Sequence, residues 1–299
     1  HADLAHSQGV LIGIQLAHAG RKASTVAPWL SSSAIATTEV NGWPEDVVGT
    51  TSEPFNDHMP VPRAITLSEI DELKQDFISA AKRAVKAGID VVELHFAHGY
   101  LVSTFFSPAT NSRQDAYGGS FENRTRLAIE IIDLIRAAVP GQMPLFVRIS
   151  ATDWLEDSSE YMGESWIIED SVRLAVLLAD HGVDVLDVSS GGNHSMQKPV
   201  GGPGYQAPFA SEIKNAVGDR LLVSSVGSIK TGSLAEDIIT GSNGDDSVPL
   251  DLIAAGRMFQ KNSGLVWAWA DELDTSIQVA HQMGWGFKGR KKGTSQNVI

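Results

Sequence analysis

Short apolar runs rich in Val, Ile and Leu recur along the chain, at residues 10–15, 89–94, 145–150, 183–188, 221–224 and 251–254. Each is bounded by polar or glycine-containing stretches, the pattern of parallel strands buried on both faces. Between the runs the apolar period lengthens to that of a helix. Residues 66–87 open with Thr66 and Glu69, the spacing of a capping box, and carry Ile70, Leu73, Phe77, Ala80 and Ala84 before Gly88. Residues 124–139 align Leu127, Ile131, Leu134 and Ala138 ahead of Pro140 and Gly141, and residues 164–180 and 228–240 read the same way. The alternation predicts repeated βα units around a parallel sheet, closed as a barrel or left open.

Two connections are longer than such a scaffold needs. Residues 17–65 are rich in Ser, Thr, Pro and Trp, and residues 189–208 carry five glycines. Both follow strands, so in a barrel both cap the C-terminal face, where barrel enzymes place their chemistry. Six strands are visible, whereas a closed β/α barrel has eight. The count predicts that two units are missing from the front. The abrupt start, at His1 in a helix-like stretch, reads as a cut.

Composition narrows the function more than the fold. The 299 residues are 42% hydrophobic and 20% charged, ordinary for a globular chain with a large core. A net charge of -13 argues against nucleic acid or an anionic membrane surface as partner. No stretch has the length of a membrane span, and no basic-then-apolar leader opens the chain. The absence of cysteine excludes disulfides, iron–sulfur clusters and thiolate zinc sites, and suits the cytoplasm, where the chain is expected.

The candidate chemistry lies at strand ends. Gln15 closes the first run and is followed by His18, Gly20, Arg21 and Lys22. An amide there can donate and accept along the edge of a heterocycle such as a flavin, with Arg21 and Lys22 as positive charge for its pyrimidine end, or the group is a solvated strand end. His95, His98 and Tyr100 follow the second run within six residues. Paired imidazoles can hold a carbonyl oxygen and stabilise the charge it gains, and a nearby phenol can deliver a proton. Plain packing, or a metal pair with Glu93, are the other readings. Residues 107–124, dense in Asn, Asp, Arg and Gly, are read as a braced structural loop.

Arg148 sits inside an apolar run and needs a partner, either a cofactor or an acid such as Asp153 or Asp187. Near the end, Gly227 and the pair Gly256–Arg257 each follow a strand and lead into a helix. In β/α barrels those last loops commonly bind phosphate, because glycine admits the backbone and helix N–H groups face the anion.

Taken together and in order, these motifs strongly resemble the Old Yellow Enzyme family, from about Gln15 to Arg257, and within it the bacterial and fungal thermophilic-like branch. The block Ser107-Pro108 through Asn123-Arg124 is the most specific part. The resemblance implies a TIM (β/α)8-type barrel with about six of its eight βα units visible, a single FMN-binding domain over residues 1–299, with a C-terminal tail at 273–299. It implies that Gln15 and Arg148 contact the FMN ring and that Gly227, Gly256 and Arg257 hold its phosphate. It implies that His95 and His98 bind the carbonyl of a small-molecule enone or enal substrate and that Tyr100 donates the proton. NADPH or NADH would reduce the flavin, making the chain an ene-reductase. The alternative is a degenerate barrel with a non-redox role as isomerase, ligand-binding protein or partner subunit. Relatives in this branch often send a C-terminal arginine into a neighbouring subunit. Here Trp285, Phe287 and Arg290 are the residues for such docking in a homo-oligomer. Loop aromatics Trp29, Trp43 and Tyr205 are candidate substrate walls.

Overall fold

The structure is a computed structural model that describes residues 1–31, 34–244, 247–279, 283, 284 and 286. Its elements run α1 (Ala2–Ser7), β1 (Gly13–Leu16), a short pair β2 (Val48–Gly49) and β3 (Arg63–Ala64), α2 (Leu67–Lys86), β4 (Val91–Phe96) and α3 (Leu101–Phe106). There follow α4 (Phe121–Ala138), β5 (Leu145–Ser150), α5 (Ile168–Asp180), β6 (Val185–Ser189), α6 (Ala207–Val217), β7 (Leu222–Val226), α7 (Gly232–Thr240), β8 (Leu252–Ala254), α8 (Arg257–Lys261) and α9 (Leu265–Glu272). Six strands form one parallel sheet in the order β1-β4-β5-β6-β7-β8, curled into a half-barrel, with β2 and β3 paired in the long loop before α2.

All six expected strands are present, displaced by up to three residues. A repeated device explains several starts. Asp90, Asp184 and Asp251 each precede a strand, and each carboxylate accepts the backbone N–H of the neighbouring strand: Ile12 at 2.8 Å, Leu145 at 2.8 Å and Val223 at 2.8 Å. The backbone N–H of each aspartate donates back to the same neighbour, so the ladder begins with a closed pair. Each carboxylate also meets a side chain, His6 at 2.9 Å, Arg136, and Lys214 at 2.8 Å.

Strand alternation sorts the two faces. Val92, Leu94, Phe96, Val147, Ile149, Leu186, Val188 and Val223 are fully buried in the core shared with the helices. Gln15, Glu93, His95, Arg148, Asp187 and Ser224 occupy the opposite, inner face. The capping box of α2 is present in both directions, but Phe77 is followed on the buried face by Ala81, not Ala80. In α4 the buried face turns toward Ile132 and Ile135, leaving Leu134 exposed. The expected helix at 228–240 starts at Gly232, because Ser228 is left-handed and the Thr231 hydroxyl caps the Leu234 N–H.

Candidate active site

The strand ends bring the sequence-derived residues into two neighbouring groups: His95, His98 and Tyr100 cluster at the end of β4, with His95 in register with Arg148, and Arg148, Gly227, Gly256 and Arg257 line one cavity. His95 lies on the inner face of β4, buried, and its ring centroid is 5.0 Å from that of His98 and 5.0 Å from that of Tyr100. Both imidazoles are neutral at pH 7. Burial and the nearby Arg148 guanidinium push His95 down to about 4 and His98 down to about 3. His95 Nδ1 is buried without a hydrogen-bond partner among the described residues. His98 Nε2 lies 2.7 Å from the Ser189 hydroxyl, which in turn reaches Gln206 Oε1 at 3.3 Å.

The turn that carries His98 is unusual. His98 has φ +61°, a left-handed backbone that costs a non-glycine residue free energy. Several contacts impose it. Its N–H donates to Ser150 Oγ at 2.9 Å. Its carbonyl accepts from Lys22 Nζ at 2.8 Å, and the same ammonium donates to the Gly192 carbonyl at 2.5 Å. Gly99 and Gly192 let the two loops touch: a Cβ on Gly192 would lie 2.5 Å from the His98 Cα. Behind the turn, Asp153 accepts from Ser107, from the Trp166 N–H at 3.0 Å and from Asn193 Nδ2 at 2.6 Å. Burial pushes this carboxyl up to about 6. Asn193 Oδ1 accepts from Ser103, whose oxygen accepts the Gly99 N–H at 3.2 Å.

This corrects one sequence expectation. Arg21 and Lys22 do not offer their charge to a heterocycle. Arg21 is buried with its guanidinium on the carbonyls of Asn193, Glu53 and Pro54, and Lys22 clamps two loop carbonyls with its Nζ 4.0 Å from the Phe55 ring centroid. The turn after β1 folds back across the site, so these cations meet backbone dipoles first. Trp29 and Trp43 are likewise 84% and 55% exposed, standing in solvent and not at the site. Tyr205 does line the cavity.

On the inner face Gln15 donates to Glu93 at 2.6 Å, following their register as neighbours in β1 and β4. Glu93 therefore turns to the amide of Gln15. Arg148 pairs with Asp187, Nε to Oδ2 3.3 Å, the second of the two acids its position suggested.

From Arg148 and Ser189 a cavity of about 440 Å³ extends to the ends of β7 and β8, where Gly227, Ser228, Gly256 and Arg257 line it. Lys230 and Lys261 join Arg148 and Arg257 there. Four cations and no carboxylate line the cavity among the described residues, in a chain of net charge -13. Lys230, Lys261, Ser189 and Gln206 carried no sequence signal for lining this cavity, because only the return of distant loops brings them together. The tail residues Trp285, Phe287 and Arg290 lie outside the described residues.

A family model described as NADH:flavin oxidoreductase / NADH oxidase family matches residues 2–275. The chain belongs to this family. It is 51% identical over 294 residues to an NADH:flavin oxidoreductase of Gibberella zeae, covering 96% of this chain and 70% of the relative. It is 38% identical over 288 residues to an NADPH dehydrogenase of a Geobacillus species, covering 96% and 74%. Among solved structures, a 2-naphthoyl-CoA reductase complex superposes with a TM-score of 0.68 at 24% identity over 88% of this chain. A histamine dehydrogenase from Rhizobium sp. 4-9 does so with 0.68 at 24% over 91%. This chain spans 39% and 36% of those two, and the likeness shows the barrel fold.

Membership makes the chain an NAD(P)H-dependent flavin oxidoreductase of the Old Yellow Enzyme family, with FMN as the family's cofactor. The residues present fit that group. The cationic cavity suits a phosphate, nothing lies within 4 Å of where a Gly256 Cβ would be, and His95 Nδ1 is a buried polar atom without a hydrogen-bond partner among the described residues. No described helix is long and apolar enough to cross a membrane.

Proposed function

We propose that this family member reduces the activated carbon–carbon double bond of a small enone or enal. The observation that carries the reading is the neutral, buried pair His95 and His98 with Tyr100 against it, beside Ser189 and Arg148, which line the cationic cavity. Bound FMN would supply the hydride, two electrons and a proton, taken beforehand from NADPH or NADH, which leaves oxidised.

The chain's own residues do the rest. Gln15 and Arg148 flank the ring, and Gly227, Gly256 and Arg257 hold the phosphate, with Lys230 and Lys261 adding charge. Nothing else among the described residues engages His95 Nδ1, so the ring's tautomer is free to suit a substrate carbonyl. A substrate carbonyl between the imidazoles takes the place of the Ser189 hydroxyl as the partner of His98. Being neutral, the pair stabilises the oxygen as it gains charge without surrendering a full proton. Tyr100 supplies the proton at the α-carbon. The domain is then a single FMN-binding barrel unit, with residues 17–65 and 189–208 as its capping loops.

The test is a half-reaction experiment on the flavin-loaded chain. Tyr100→Phe should slow reoxidation by an enone while leaving reduction by the nicotinamide unchanged. His95→Asn with His98→Asn should weaken enone binding at least tenfold. Equal loss in both half-reactions, or unchanged enone affinity in the double variant, removes these residues from the roles given.

A further inference from the structure

The inner face holds a charge that the reaction above does not use. Asp187 is 6% exposed and sits between Arg148 and Ser224 in strand register. Its Oδ2 lies 3.3 Å from Arg148 Nε, Ser224 is its neighbour on the other side, and its Oδ1 has no hydrogen-bond partner among the described residues. A lone buried carboxylate is costly, so its ion pair with Arg148 is a strong constraint on both side chains. The pair is also not bidentate. One edge of the guanidinium faces Asp187, and Arg148 lines the cavity.

Two-electron reduction of a bound flavin places negative charge at the pyrimidine end of its ring. A cation there favours the reduced form, and a carboxylate paired to that cation offsets it. Glu93, bonded to Gln15, adds a second acid on the same face, and its carboxyl is raised by burial and by Asp187 itself.

We propose that Asp187 is a positioning residue that fixes the Arg148 guanidinium and, by offsetting its charge, holds the midpoint potential of bound FMN below the value Arg148 alone would set. The proposal rests on the flavin reading of the cavity. In mechanistic terms it makes the reduced cofactor a better hydride donor at some cost to its own reduction by the nicotinamide.

The experiment compares the midpoint potential of the flavin-loaded wild type with that of Asp187→Asn, and the affinity of each apoprotein for oxidised FMN. The asparagine keeps the shape and a contact to Arg148 but removes the charge. The reduction equilibrium should shift at least tenfold toward the reduced flavin, about 30 mV upward for a two-electron couple, while affinity for oxidised FMN changes less than the equilibrium does. Asp187→Ser, smaller and also neutral, gives the same direction and serves if the asparagine variant does not fold. Equal potentials in flavin-loaded wild type and variant overturn the proposal alone. A wild-type chain that takes up no FMN overturns the flavin reading and this proposal with it.

Discussion

Lys22 shows how a single side chain can be read for its charge and turn out to matter for its hydrogen bonds. Its ammonium joins the His98 and Gly192 carbonyls, and burial together with Arg21 pushes it down to about 7. The sign of the pH dependence follows. Below about pH 7 both folded and unfolded chains carry the proton, so the full penalty for burying charge is present. Between there and the ordinary lysine range the unfolded chain binds more protons, and stability rises with pH. A neutral amine still donates to both carbonyls. The advantage of wild type over Lys22→Met should therefore be larger in urea denaturation at about pH 9 than at about pH 6, and a smaller advantage at the higher pH would contradict the clamp. At this scale the sequence displayed a cluster well where residues are neighbours in the chain, as with the rings of His95, His98 and Tyr100. It was silent where loops return. Nothing local marks Asn193 as the link between Asp153 and the His98 turn, or Ser189 as the partner of the His98 ring.

Elements were legible in proportion to how periodic they are. The six strands stood out because each is a Val, Ile or Leu run, and the starts of β4, β6 and β8 trace to the aspartates that open them. The helix α3 was not readable, since all six of its residues are buried and no polar face gives a period. The start of α6 is hidden behind a glycine-rich loop, and Pro208 in its first turn looks like a breaker although that position tolerates it. The short pair β2 and β3 has two residues in each strand, too few for alternation to show. The strand-opening aspartates give the test at this scale. Replacing Asp184 by Ala leaves the Leu145 N–H without its acceptor and strips Arg136 of its ion pair. An unpaired buried donor costs about 1–3 kcal/mol, so the midpoint of denaturation should fall with little change in its slope. A stability unchanged within about 0.5 kcal/mol would show that these carboxylates are incidental to strand entry.

The whole molecule is acidic and the cavity beside Arg148 is basic, and the two facts belong together. A chain of net charge -13 repels anions at long range, so a site for one must be built locally. Arg148 from β5, with Lys230, Arg257 and Lys261 beyond the ends of β7 and β8, gathers four cations in one cavity. The arrangement divides recognition in two. In the function proposed above, the end near Gly256 and Arg257 would take the phosphate, whereas Arg148, in register with His95, would take the ring. Removing charge from the first end should therefore affect only ligands that carry a phosphate. Arg257→Ala should raise the dissociation constant for FMN on the order of ten- to hundredfold, the worth of a lost pair of charge-assisted bonds. Riboflavin, the same ring system without the phosphate, should bind wild type and variant alike. The difference between the two ligands should also shrink as salt is raised, because the cavity is open to solvent and its field is screened. Fluorescence quenching of both flavins on the apoprotein, at low and high salt, reads all of this in one titration series. If Arg257→Ala weakens riboflavin as much as FMN, the arginine shapes the cavity as a whole and the division into a phosphate end and a ring end is wrong.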